Sequence, residues 1–154
     1  MLNERGVAAL PFAIVGTGAI VAGGAIAAAV AYHPTEHLIW MVAYLVLVVG
    51  VVQWVLGGGE AWLAGRVPGP RTVWGQWVLF NLGNAGVIGG TLDNRTAVVA
   101  AGSVVFAVAL AWFLYGVRGC RRVRWCVAYR TLLSLMLVSA CVGVVISAVS
   151  NGAA

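Results

Sequence analysis

Residues 37–58, HLIWMVAYLVLVVGVVQWVLGG, decide the fold. They run for twenty-two positions without an Asp, Glu, Lys or Arg. As a helix rising 1.5 Å per residue, such a run measures roughly 33 Å, just over the hydrocarbon core of about 30 Å. Lipid offers backbone amides no partner, so only helices or closed barrels span it. Barrel strands alternate apolar with polar residues, and this run does not. It reads as a transmembrane helix.

Four more stretches follow the same pattern. They are 7–32, 72–92, 97–117 and 127–149. The expected fold is all-α: one transmembrane domain over residues 1–154, built as a bundle of five transmembrane helices. The longest loop is then 59–71, which leaves no room for a soluble domain. Composition agrees. Hydrophobic residues make up 62% of the chain and charged residues 8%, where a soluble domain carries about 25% charged residues. The net charge of +5 does not point to nucleic acid, because the basic residues mark the ends of apolar runs and form no soluble face.

All nine basic residues are arginines, and they set the expected orientation. Short loops rich in arginine stay on the cytoplasmic side. With 118–124, RGCRRVR, inside, the segments put Arg5, Arg66, Arg71, Arg118, Arg121, Arg122, Arg124 and Arg130 at the inner side and only Arg95 outside. The N-terminus is expected in the cytoplasm and the C-terminus outside, in a multi-pass protein of the plasma membrane. Trp54, Trp62, Trp74, Trp77, Trp112 and Trp125 gather toward the inner interface, as aromatic anchors do. The small residues before Tyr32 resemble a signal-cleavage site, but the apolar run is longer than a secretory signal; cleavage would leave four helices. The three cysteines, Cys120, Cys126 and Cys141, form no metal or redox motif. They are expected as free thiols, reduced if the loop is cytoplasmic.

Between the first two segments lies HPTEH, residues 33–37. Its spelling matches the inverzincin signature H-x-x-E-H, in which two histidines hold zinc and the glutamate is the base. Pro34 disfavours helical geometry at His33, which parts the two histidines, and no third ligand follows in sequence. With Asp93 from the turn TLDNR, the expected outer face carries His33, Glu36, His37 and Asp93, four of the chain's six Asp, Glu and His residues. That set is the candidate site for haem or a divalent metal, imidazole being a common axial ligand of haem. The plainer reading makes Pro34 the start of a helix, Thr35 or His33 its cap, and Glu36 the complement of its dipole.

Polar residues inside spans are costly and often functional. Gln53 and Gln76 lie at similar depth and could bond to each other if their helices are neighbours. Asn81 and Asn84 share a face near mid-membrane beside Gly83, Gly86, Gly89 and Gly90. They read either as interhelical glue on a small-residue packing face or as the polar lining of a path. No carboxylate or histidine is expected at mid-membrane. Arg130 sits just inside the last segment and is expected to snorkel to the interface. Arg118, Arg121, Arg122 and Arg124 form a topology signal that also suits anionic lipid headgroups.

Three functions fit these residues. The first is a non-catalytic accessory or structural subunit of a membrane assembly, held by lipids and by other membrane subunits or copies of itself. The second is a haem- or metal-binding membrane protein. The third is a small transporter or channel lined by the amides of the third helix. No acid–base pair and no activated serine or cysteine suggests catalysis.

Overall fold

The computed structural model describes residues 3–120 and 122–152, and all regular structure in them is helical. Five long helices follow in order: α1 (Glu4–Ala29), α2 (Glu36–Leu63), α3 (Pro70–Leu92), α4 (Thr96–Gly116) and α5 (Val123–Gly152). Four of the five, all but α3, are long and apolar enough to cross a membrane. Five segments were expected to pass on length and apolarity, and α3 falls short. Its Gln76, Asn81, Asn84 and run of glycines dilute the apolar residues.

Several boundaries differ from the sequence reading. α1 begins earlier, where the Asn3 side chain accepts a hydrogen bond from the Gly6 amide at 2.9 Å and caps the first turn. α2 continues through Gly57, Gly58 and Gly59 to Leu63. The loop expected over 59–71 shrinks to residues 64–69, and Glu60 is helical. Glycine costs about 1 kcal/mol per residue in a helix. Here that cost is offset by packing, because the Gly57 position is filled by the Phe12 ring. The middle of α2, Leu45–Val52, is a π-helix. Its wider turns change which residues share a face beyond it.

The chain divides into two compact units: residues 1–62 with 67–73, and residues 63–66 with 74–154. In the first, α1 and α2 pack antiparallel. A β-carbon built at Gly16 would lie 2.8 Å from Trp54 Cδ1 and 2.9 Å from the Gly50 carbonyl oxygen. Gly23 meets Val46 and Gly57 meets Phe12, so the pairing runs in opposite directions along the two helices. Trp54 donates to the Thr17 hydroxyl at 3.0 Å. Arg5 donates to the Ala61 and Trp62 carbonyls at 2.6 and 3.2 Å, so a guanidinium serves the open carbonyl end of α2.

In the second unit, α3 and α4 meet backbone to backbone. β-carbons at Gly83, Gly86 and Gly90 would lie 2.6 Å from the Phe106 amide nitrogen, 2.9 Å from Gly102 Cα and 2.6 Å from the Val99 amide nitrogen. The expected small-residue face is therefore real, with Gly86 and Gly90 as its GxxxG pair. Gly89 points into open space. Phe80 and Phe106 stack with ring centroids 5.3 Å apart. The α3–α4 turn closes with Asn94 in the left-handed region, φ 54°. The Arg95 amide reaches the Gly90 carbonyl at 2.7 Å and the Asn94 amide reaches that of Thr91 at 3.3 Å. This is the Schellman arrangement with Asn in place of glycine. α5 packs on α4 through the buried Cys126, Tyr129 and Leu133.

Candidate functional site

HPTEH forms the connection between α1 and α2. The His33 amide bonds to the Val30 carbonyl at 3.1 Å, closing a turn. Thr35 is the N-cap of α2, its hydroxyl accepting from the Leu38 amide at 3.3 Å. Pro34 lies just before that cap, one step outside the helix that it was expected to begin. Glu36 stands in the first turn, where its charge complements the dipole. His33 is thus a turn residue and His37 a helical one, both exposed. They do not share a helical face, as a zincin pair must. Asp93 is exposed in its own turn beyond α3. Among the described residues, no three His, Cys, Asp or Glu side chains form a group that could hold a metal ion.

Two side-chain amides of α3 bond to the backbone of their own helix. Asn81 donates to the Trp77 carbonyl and Asn84 to the Phe80 carbonyl, each at 2.8 Å and each one turn back on its own helix. Thr91 does the same to Val87 at 2.8 Å. A short polar side chain in a helix finds its own backbone nearer than any neighbour's. The close approach of α3 to α4 is carried by Gly83, Gly86 and Gly90.

Gln53 and Gln76 are fully buried. Neither polar atom of the Gln53 side chain has a hydrogen-bond partner among the described residues. Glu60 was missed in the sequence because the glycine run before it reads as a loop. It is 2% exposed and lies one turn from the end of α2. Gln53 and Glu60 are seven residues apart within one α-helical stretch, Gln53–Leu63, so they lie on the same side about two turns apart. The signal was present: seven-residue spacing of two polar residues within a helix long enough to continue.

Cys120 and Cys126 are joined as a disulfide, their Cα atoms 6.5 Å apart, within the usual span of such bridges. This corrects the expectation of free thiols at those two positions; Cys141 alone is free, and exposed. The bridge closes the connection between α4 and α5 around the arginine cluster. Arg118 lies over the Tyr115 ring, 4.3 Å from its centroid. Arg122 and Arg124 are exposed, and Arg121 falls outside the described residues. Arg130 donates to the Val117 carbonyl at 3.3 Å. It caps the end of α4 as Arg5 caps the end of α2.

No protein-family model, curated protein or solved structure matches the chain.

Proposed function

We propose that the chain is a non-catalytic accessory or structural subunit of a membrane assembly, with its N-terminus in the cytoplasm and its C-terminus outside. The observation that carries this reading is the C-terminal half of α5. Val142, Val145, Ile146 and Val149 are each at least half exposed. The other half of the helix packs on α4, whereas this one leaves a bare apolar face on the last helix of the chain. In lipid, such a face is soluble without a partner, and it can also receive another membrane helix through van der Waals packing.

The orientation rests on the arginines, and the geometry supports their common side. Gly65, next to Arg66, lies against the Gly119 carbonyl, with a β-carbon there 3.2 Å from it. Two arginine-bearing loops are therefore neighbours. In a cytoplasmic loop, the Cys120–Cys126 pair belongs to the transient or redox-responsive disulfides of that compartment.

Purification in mild detergent after crosslinking in intact membranes tests the assembly. A stoichiometric membrane partner, or a defined homo-oligomer, released by Val145→Trp is the expected result. A monomer with no crosslinked partner rejects the subunit reading. An absorption spectrum with a haem band lost in His37→Ala would replace it with the haem-binding one. A reporter fused after Ala154 is expected to read as external.

A further inference from the structure

We infer that the N-terminal half of α5 holds one anionic phospholipid, with the phosphate on Arg130 and an acyl chain along the helix below it. The inference rests on the membrane placement proposed above but not on the subunit role. It comes from three observations. The first is a groove. Val127, Arg130, Thr131, Ser134, Leu135 and Val138 line an open depression of about 410 Å³ on one face of α5. Their spacing of three and four residues makes a continuous stripe. The second is the order of chemistry along that stripe. After Val127 comes the guanidinium of Arg130, the hydroxyls of Thr131 and Ser134 follow within about one turn, and the apolar side chains of Leu135 and Val138 come last. A phospholipid presents the same order: phosphate, glycerol ester oxygens, acyl chain.

The third is unbalanced charge. No Asp or Glu follows Asp93, while Arg95, Arg118, Arg121, Arg122, Arg124 and Arg130 all do. No carboxylate on α4 or α5 can answer Arg130. Its bond to the Val117 carbonyl uses one of five N–H donors and pins the guanidinium at the head of the groove. The remaining donors suit a phosphate, which takes two of them side by side. Trp125, one turn earlier and exposed, stands where an interfacial anchor belongs.

The test uses the full chain in neutral detergent, titrated with phosphatidylglycerol or with phosphatidylcholine of the same acyl chains, and counts bound lipids by native mass spectrometry. One phosphatidylglycerol is expected to bind in preference. Arg130→Gln should cut its occupancy about five-fold, the effect of one arginine at an anionic surface. Arg130→Lys should keep most of it, and Arg95→Gln should change nothing. Thr131→Val with Ser134→Ala should weaken both lipids. Excess inorganic phosphate should not compete; displacement by it would reduce the site to a general anion site and overturn the lipid assignment. Equal binding of the two lipids, or an Arg130→Gln protein that keeps its preference, would also overturn it. Carbonate extraction of the same variants separates this failure from a failure of the membrane placement itself.

Discussion

The α3–α4 contact and the surface of α5 use opposite residues for opposite ends. Where α3 meets α4, the side chains at the seam are Gly83, Gly86, Gly90 and Gly102, and the backbones touch. On α5, Leu135, Val138, Val142, Val145, Ile146 and Val149 stand outward. In water this would be inverted, because large apolar residues would be driven into the contact. Between helices in lipid there is no such drive, since lipid tails are as apolar as leucine. Close packing decides, and small residues permit it. At the α3–α4 seam residue size marks the contact, whereas α4 and α5 meet through larger side chains, Tyr129 and Leu133 among them.

The sharpest way to break this contrast is to exchange the sizes. Gly83→Val sets a branched side chain against the Phe106 backbone, which cannot swing away. It is expected to cost about 3 kcal/mol, at the upper end for overpacked sites. Val145→Leu on α5 should stay within about 0.5 kcal/mol, as surface changes do. Thermal unfolding in one detergent measures both, and equal losses would erase the distinction. A smaller effect, of opposite sign, is expected at Gln53. Its amide is buried and unbonded, and an unsatisfied buried polar group costs about 1–3 kcal/mol. Gln53→Leu should therefore raise stability by an amount in that range. A loss instead would mean that the amide serves a bound group. A modest loss is expected in the α1–α2 pair, where a hydrogen bond accompanies the glycine seam. Trp54→Phe removes the bond to Thr17 and should cost about 0.6 kcal/mol, the average for such bonds in membranes.

The helices and their glycine seam were legible in the sequence because both are local. Apolar length marks a span, and a small residue every three or four positions marks a contact. Other features turned on distant partners. Gly57, Gly58 and Gly59 look like a helix stop until Phe12 fills the gap at Gly57, and so Glu60 was read as loop. The bridge of Cys120 to Cys126 carries no motif; it depends on how α4 hands the chain to α5. The π-helix at Leu45–Val52 is written in an unremarkable apolar run, although it resets the face on which Gln53 and Glu60 lie. The zincin reading of HPTEH depended on both histidines sharing a helix, and a cap at Thr35 separates them.

That π-helix also bears on how the protein fits its bilayer. α2 has 28 residues. Wound throughout as an α-helix, it would be about 42 Å long, well beyond a core of about 30 Å. α4, with 21 residues, would be about 32 Å and fits almost upright. A wider turn climbs less per residue, so the π segment shortens α2 and lowers the tilt that it needs. Hydrophobic mismatch is one of the forces that sort proteins among membranes of different thickness. In this chain, eight residues of altered winding adjust that match without changing a single side chain's polarity.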